Sequence, residues 1–216
     1  MERKEWYEIA ERASRSVFRI RAGGNLGTCF LGSVARHRES GTHLCLFVTA
    51  WHVVEAAETD GSEIEVLRHD GTVIAARSEN DTQIIPMDPF TFDSAGVFMQ
   101  TGGEVLKLED CVPLFGTGTL LRGAEVGWVG FPSVRKGELC FFHGHISGYS
   151  KEPAAYLVDG VAVGGCSGGP VFDRYGATVG LVSAYLPDVR RGARERVVLP
   201  GLSSIAPIAA VRMWLE

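Results

Sequence analysis

Short apolar stretches separated by turn residues dominate the chain from Ser16 onward. Hydrophobic and charged residues alternate over 18–21 and again over 63–66, as they do in strands that bury one face. Glycine, asparagine and aspartate residues interrupt these stretches in the way that turns do. The pattern predicts an all-β fold.

The two ends of the chain follow a helical period instead. Within residues 3–14, apolar side chains recur at the spacing of one helix face. Residues 203–216 regain helical spacing, and Ser203 or Ser204 is a suitable N-cap. Between these ends, residues 79–92 have no period and contain two prolines, which predicts a long surface loop.

Length and charge limit the function classes. The 216 residues suffice for one large domain or two small ones, and 45% hydrophobic residues can fill a substantial core. A net charge of −5 argues against a general nucleic-acid binder, which usually presents a basic face. The one basic cluster, residues 190–196, also lies beside acidic residues and is interpreted as a solvated loop.

Cysteine usage and the N-terminal segment bear on the compartment. The five cysteines are odd in number and irregularly spaced, which is typical of reduced thiols and not of a disulfide framework. Residues 1–14 are charged and lack the continuous apolar core of a secretory signal. No segment is apolar and long enough to span a membrane. We therefore expect a cytoplasmic protein with no membrane partner.

The segment Gly164–Pro170 places a single hydroxyl, that of Ser167, among glycines. Glycines beside a nucleophile permit backbone angles closed to other residues and let a substrate carbonyl approach the main chain. The N–H groups of Gly165 and Ser167 could then stabilise an oxyanion. A plain glycine-rich turn between strands is the alternative interpretation.

A serine becomes a nucleophile only when a base accepts its proton and a third group holds that base. His52 follows an apolar strand on a predicted short turn, and Asp93 precedes another strand. No histidine follows Ser167, which excludes the α/β-hydrolase order, and no aspartate precedes His52, which excludes the subtilisin order. The order His52, Asp93, Ser167 remains.

These three segments carry a family resemblance. Residues 49–53 (Thr-Ala-Trp-His-Val), 93–98 (Asp-Ser-Ala-Gly-Val-Phe) and 165–170 (Gly-Cys-Ser-Gly-Gly-Pro) resemble the signature segments of chymotrypsin-like (trypsin-like) serine peptidases, specifically the Deg/HtrA-type branch. Residues 121–132 are similar to the family segment that leads into the second barrel. The resemblance runs from about residue 16 to about residue 185.

The resemblance implies one peptidase domain over 1–216, built from two packed six-stranded Greek-key β-barrels. The N-terminal helix would span 3–14, the first barrel about 16–110, the second about 112–200 and the C-terminal helix about 203–216. His52 and Asp93 would come from the first barrel, and Gly165 and Ser167 from the second. No residues would remain for a PDZ domain.

The resemblance also implies a serine endopeptidase that acts on a protein or peptide substrate through an acyl-enzyme, with no cofactor. Val161, six residues before the nucleophile, would lie at the base of the S1 pocket. Ser183 would bind the substrate main chain, and Tyr185 would narrow the pocket. We therefore expect cleavage after small or medium apolar residues, with a partner protein supplying substrate or activation.

Two other classes stay open. The first is a catalytically weak or inactive homologue that acts as a peptide-binding module, and the second is an esterase with the same chemistry. Cys140, His143 and His145 could be taken for metal ligands, but no fourth ligand is identifiable and a strand is the preferred interpretation. Cys166 is expected to shape the loop before Ser167 without attacking the substrate.

Overall fold

The computed structural model describes residues 2–36, 42–77, 82–87, 92–101, 106–113, 120–135, 137–190 and 197–208, together with Val211. The first half of the chain forms a seven-stranded sheet. Its strands are β1 (Val17–Ala22), β2 (Asn25–Arg36), β3 (His43–Thr49), β4 (Ile64–Leu67), β5 (Val73–Ala76), β6 (Gln83–Pro86) and β7 (Ala95–Gln100).

The second half forms a closed six-stranded barrel. Its strands are β8 (Glu125–Gly130), β9 (Cys140–Lys151), β10 (Ala154–Val158), β11 (Pro170–Phe172), β12 (Thr178–Arg190) and β13 (Val197–Pro207). The described residues include the helices α1 (Trp6–Ser14) and α2 (Trp51–Asp60) and a 3-10 turn, Leu108–Asp110. None of these helices is long and apolar enough to cross a membrane.

The predicted all-β class with two barrel-like sheets is confirmed. The strand order of the first sheet is β5-β4-β1-β2-β3-β7-β6, and that of the closed barrel is β10-β13-β12-β11-β8-β9. The first sheet differs from the expected six-stranded barrel because it has seven strands and its edge strands β5 and β6 are not paired to each other in the described part of the chain. It is a half-barrel.

Both halves share a core. The larger buried cluster contains Phe30 and Phe47 of the first sheet together with Leu181 of β12 and Phe131, which directly follows β8. A smaller cluster around Trp128 fills the closed barrel. Burial of apolar side chains from both sheets in one cluster holds the two halves in a fixed arrangement, and the residues predicted to act together lie along that junction.

The predicted N-terminal helix begins at Trp6, three residues later than expected. Glu5 is extended and forms a capping box with Glu8, so the helix cannot extend further toward the N-terminus. The Trp6 ring lies 5.5 Å from the Phe141 ring, and the Arg174 guanidinium stacks over it at 4.7 Å. These contacts fasten α1 to the second barrel.

The prediction of a helix starting at Ser203 is wrong. Residues 197–207 form β13, which pairs with β12 on one side and with β10 on the other. Ser203 and Ser204 are therefore strand residues and not caps, and the second barrel extends to Pro207 instead of ending near residue 200. Val211 is helical and buried, and the rest of the predicted helix lies outside the described residues.

Two further expectations need correction. The segment 79–92 is not a continuous loop, because residues 83–86 form β6 and pair with β7. The residue His52 does not lie on a short turn but in the first turn of α2, a ten-residue helix that buries Val53, Val54 and Ala57. Ala57 lies four residues after Val53 and three after Val54, which is the spacing of one helix face.

Candidate active site

His52 and Asp93 are in direct contact although they are far apart in the chain. Nδ1 of His52 lies 2.8 Å from Oδ2 of Asp93, and the main-chain N–H of His52 donates to Oδ1 at 3.0 Å. The second bond follows from the position of His52 in the first turn of α2, where a helix leaves its N–H groups without intrahelical partners. Asp93 therefore caps the helix and holds the imidazole with the same carboxylate.

The electrostatics of the pair favour opposite charges. The hydrogen bond that His52 donates to Asp93 raises the pKa of His52 above its usual value, against the opposing effect of burial. Burial alone would raise the pKa of Asp93, but bonds from His52 and Ser183 outweigh it, so the pKa of Asp93 is lowered. Asp93 is therefore ionised at neutral pH and is able to stabilise a protonated His52.

Ser183 links Asp93 to Ser167. Its hydroxyl donates to Oδ2 of Asp93 at 2.6 Å, and its carbonyl accepts a bond from Oγ of Ser167 at 3.3 Å. Among the described residues, no hydrogen bond joins Ser167 to His52. The Ser167 hydroxyl thus rests against the main chain of β12 in this structure. Bonds between a nucleophile and its base are commonly looser in ligand-free proteins.

Most main-chain N–H groups of the serine loop, residues 165–169, donate hydrogen bonds within the protein. Those of Cys166, Gly168 and Gly169 donate to main-chain carbonyls at 2.7–3.0 Å. Within the part of the chain that the structure describes, the N–H groups of Gly165 and Ser167 have no acceptor. These are the two donors that the sequence predicted for an oxyanion.

The direction of the Gly165 N–H is fixed by the residue before it. The Gly164 carbonyl accepts a bond from Ser133 N at 2.7 Å, and the peptide that joins Gly164 to Gly165 is trans. A trans peptide points its N–H opposite to its carbonyl, so the Gly165 N–H points away from Ser133. The φ of Gly165 is +91°, and a Cβ there would lie 2.5 Å from Phe131 O. Only glycine fits.

Thr28 of β2 holds the serine loop from the first sheet. Its N–H donates to Ser167 O at 2.8 Å, and its hydroxyl donates to Gly165 O at 2.8 Å. The same hydroxyl accepts a bond from Phe131 N at 3.0 Å, and Thr28 is fully buried. Thr49 in turn donates to Thr28 O at 2.8 Å. Two threonines of the first half therefore support the loop of the second.

This constellation agrees with a sequence comparison. The family model of the trypsin-like peptidase domain matches residues 27–181, which is more than half of the chain. The chain belongs to the trypsin-like peptidase family.

Solved structures support the same fold. Deg5 matches this trypsin-like peptidase domain with a TM-score of 0.66 and 22% identity, covering 96% of this chain and 90% of Deg5. An inactive form of the Rv3671c protease matches with a TM-score of 0.63 and 19% identity, covering 96% of this chain and 91% of that chain. A mutant of Rv3671c from M. tuberculosis H37Rv, also an inactive form, gives 0.63 and 18%, with 96% and 88% covered. The comparison with curated proteins gave no match.

The residues predicted to set the specificity of this trypsin-like peptidase are only partly described. Val161 is 46% exposed, and both of its neighbours are tied to Ser203, whose hydroxyl donates to Gly160 O and accepts a bond from Ala162 N. Tyr185 lies in β12 opposite Ser203, and its side chain is outside the described part of the structure. The role of either residue in a pocket stays a prediction.

Cys166 packs inside the trypsin-like domain. It is fully buried, and its Sγ lies 3.2 Å from the point where a Cβ on Gly130 would be. Burial raises the pKa of the thiol to about 12. A buried thiol that stays protonated is a poor nucleophile, which favours the prediction that Cys166 shapes the loop without attacking.

The residues considered as metal ligands, Cys140, His143 and His145, all lie along one strand, β9. His143 and His145 are both exposed on β9, and His145 contacts Asp159, with Nδ1 3.6 Å from Oδ2. Among the described residues no group of three or more His, Cys, Asp or Glu could hold a metal ion. Asp81 and Asp88, the other aspartates near the predicted acid position, lie outside the described residues.

Two contributions to this site were not predicted from the sequence. One is the Ser183 hydroxyl, for which only main-chain bonding was expected, and the other is Thr28. The available signal was a threonine within the apolar stretch of β2. A hydroxyl in a fully buried position requires hydrogen-bond partners, but the sequence does not identify them.

Proposed function

We propose that this trypsin-like peptidase domain is a serine endopeptidase whose triad is His52, Asp93 and Ser167. The observation that carries the proposal is the continuous bonded path from His52 through Asp93 and Ser183 to Ser167. It ends beside two main-chain N–H groups that have no acceptor among the described residues. A nucleophile, an oriented base and an oxyanion site are the parts that acyl transfer requires.

Catalysis starts with rotation of the Ser167 hydroxyl. Its present acceptor, the Ser183 carbonyl, lies on β12, and a substrate strand that donates an N–H to that carbonyl would compete with the hydroxyl. The freed Oγ then turns toward Nε2 of His52, which accepts the proton as Oγ attacks the peptide carbonyl. Substrate binding and activation of the nucleophile are coupled in this way through one main-chain oxygen.

The remaining steps follow from the same contacts. The N–H groups of Gly165 and Ser167 stabilise the oxyanion of the tetrahedral intermediate. The protonated His52, held by Asp93, donates its proton to the leaving amine, which leaves an ester between Ser167 and the acyl part of the substrate. Water, deprotonated by His52, attacks that ester and restores the free hydroxyl. Hydrolysis of one peptide bond is the net reaction.

The proposal is tested with a fluorophosphonate label and a casein assay on the parent, Ser167→Ala and Ser147→Ala. Ser147 is an exposed serine on the outer face of β9 and serves as the matched control. We expect the parent and Ser147→Ala to be labelled and to cleave casein. We expect Ser167→Ala to be folded, unlabelled and slower by about 10⁴-fold or more, because the covalent route is lost.

The alternatives give different results in the same assays. A peptide-binding module would leave the parent unlabelled and unable to cleave casein while it still retained peptides. An esterase would be labelled at Ser167 and would hydrolyse small esters but not casein. Near-normal casein turnover by Ser167→Ala would contradict the triad itself.

A further inference from the structure

The Thr28 hydroxyl is bonded on both sides by groups of the second barrel. It has one proton and accepts the N–H of Phe131 at 3.0 Å, so that proton is directed to Gly165 O at 2.8 Å. Thr28 is fully buried, so water does not replace either bond. Loss of the hydroxyl would leave the buried N–H of Phe131 and the partly buried carbonyl of Gly165 without this partner, which is costly.

The bond to Gly165 O acts on one particular peptide. The peptide that joins Gly165 to Cys166 is held at its carbonyl by Thr28 and at its N–H by Val163 O, 3.0 Å away. It lies between the two N–H groups that have no acceptor in the described structure, those of Gly165 and Ser167. The relative direction of these two N–H groups depends on ψ of Gly165 and φ of Cys166, the torsions on either side of this peptide, so a change in one that the other does not cancel turns one N–H group relative to the other.

Glycine makes this peptide easy to rotate unless a neighbour holds it. Gly165 has no side chain to restrict φ or ψ and sits at φ +91°. The Gly164 carbonyl is fixed by Ser133, which sets the N–H of Gly165 but not the peptide that follows. The hydrogen bond from the Thr28 hydroxyl fixes the carbonyl of Gly165, which belongs to that following peptide.

We propose that Thr28 is a positioning residue for the oxyanion hole, acting through the carbonyl of Gly165. The proposal rests on the serine endopeptidase function proposed above. Thr28 touches neither the substrate nor the reacting atoms. Its hydroxyl holds the Gly165–Cys166 peptide, and this peptide sets the Ser167 N–H relative to the Gly165 N–H, whose own direction is fixed by the bond from Ser133 to Gly164 O.

The main chain of Thr28 allows the hydroxyl to be tested separately. Thr28 N also donates to Ser167 O at 2.8 Å, and a side-chain substitution leaves that bond in place. Thr28→Val removes the hydroxyl at nearly constant volume, while Thr28→Ser keeps it. Thr178→Val is the matched control, because Thr178 is equally buried but its hydroxyl has no partner in the described part of the chain.

The experiment measures kcat and KM on a chromogenic peptide together with thermal unfolding. For Thr28→Val we expect kcat to fall by about 10- to 100-fold, less than for removal of an oxyanion donor itself, with KM changed by less than about threefold. Thr28→Ser and Thr178→Val should retain kcat within about threefold of the parent. A structural role alone would lower the unfolding temperature without separating kcat from KM.

Two results would overturn the proposal. One is a folded Thr28→Val with kcat within about twofold of the parent. The other is a loss in Thr28→Ser as large as that in Thr28→Val, because the retained hydroxyl would then make no contribution to kcat.

If Thr28→Val does not fold, Thr28→Cys provides a weaker donor of similar size, and its kcat should lie between those of the parent and Thr28→Ala. Equal kcat for Thr28→Cys and the parent would contradict the proposal.

A second measurement does not depend on activity. Amide hydrogen exchange over residues 163–169, compared between Ser167→Ala and Thr28→Val/Ser167→Ala, should be faster in the double variant. The remainder of the second barrel should exchange at the same rate. If the parent cleaves no peptide, the proposed function fails while this measurement still reports whether Thr28 holds the loop. Unchanged exchange over 163–169 would overturn the positioning role in either case.

Discussion

Individual hydroxyl and carboxylate groups connect the two halves of this site. Asp93 of the first half receives bonds from His52 N–H, from His52 Nδ1 and from the Ser183 hydroxyl of the second half. Thr28 makes the reciprocal connection, from the first half to Gly165 of the second. Each of these two groups provides a hydrogen-bond partner for a polar atom of the other half. The site is therefore assembled by hydrogen bonds that cross the junction between the halves.

For the proposed triad, we expect the pH dependence of activity to follow the protonation of His52. A general base must be neutral, and the hydrogen bond that His52 donates to Asp93 raises the pKa of His52. The value of kcat/KM should therefore fall as the pH drops, with a midpoint above the usual histidine value of about 6.5. In Asp93→Asn the midpoint should move to lower pH, because the charge that favours imidazolium is gone, and kcat should fall by about 10⁴-fold. The measurement is kcat/KM from pH 5 to 9.

Glu55 provides the control for this pH profile. It lies on α2 and raises the pKa of His52 only as the last of the contributing causes, through its charge. Glu55→Gln should shift the midpoint slightly to lower pH and leave kcat nearly unchanged. If kcat/KM falls at low pH with the same midpoint in the parent and in Asp93→Asn, His52 is excluded as the titrating base.

The site residues are positioned by the ends of helices and strands. The N-terminus of α2 presents the His52 N–H to Asp93, and Asp93 stands two residues before β7. The serine loop begins after Gly164 and leads into β11, which pairs with β8 and β12. The site is therefore built at the ends of regular elements, where main-chain groups are not used by the element itself.

Gly165 and Gly164 form a matched pair for testing the serine loop. Gly165→Ala places a Cβ 2.5 Å from Phe131 O and requires φ of +91°, whereas a Cβ on Gly164 meets only Ser133 Oγ at 3.5 Å. The left-handed conformation alone costs alanine about 1–2 kcal/mol. We expect Gly165→Ala to lower kcat by about 100-fold or more, on the scale of losing an oxyanion donor, and Gly164→Ala to have a much smaller effect.

The measurement for this pair is peptide hydrolysis with circular dichroism as the check on folding. Equal activities of Gly165→Ala and Gly164→Ala, with both proteins folded, would show that the loop tolerates a side chain where the structure leaves no room.

At the scale of the molecule, the site combines an imidazole from the first half with a serine loop from the second. The shared core fixes their relative position, since Phe30 and Phe47 pack in the same cluster as Phe131 and Leu181. Packed interiors resist small displacements. The helix α1 adds a further contact to the second barrel through Trp6 and Arg174.

The substrate preference is a prediction about the surroundings of Val161. Val161 cannot neutralise a basic side chain, and a charge removed from water without a partner is heavily penalised. We expect cleavage after Ala, Val or Leu, and Val161→Asp should increase cleavage after Arg or Lys. Val73 has nearly the same exposure as Val161, 45% against 46%, and lies on β5, so Val73→Asp is the control. Profiling uses a peptide library. A parent that cuts mainly after basic residues would show that Val161 does not line the pocket.

Local patterns were sufficient for much of this protein. Strand periodicity predicted the all-β class, because alternation reports directly which face of a strand is buried. The chain order of His52, Asp93 and Ser167 selected one family among three, and the glycines around Ser167 indicated a loop with free main-chain donors. These features depend on residues close together in the sequence, so the sequence displays them without any knowledge of the fold.

The tertiary structure decided what depends on distant partners. Residues 203–207 belong to the segment predicted as a helix, but pairing of β13 with β12 and β10 closes the barrel and makes them strand residues. The bond from Thr28 to Gly165 spans 137 positions and that from Ser183 to Asp93 spans 90. No local pattern specifies such a partner, because a hydroxyl buried in a strand can satisfy itself with any main-chain group that the fold brings near.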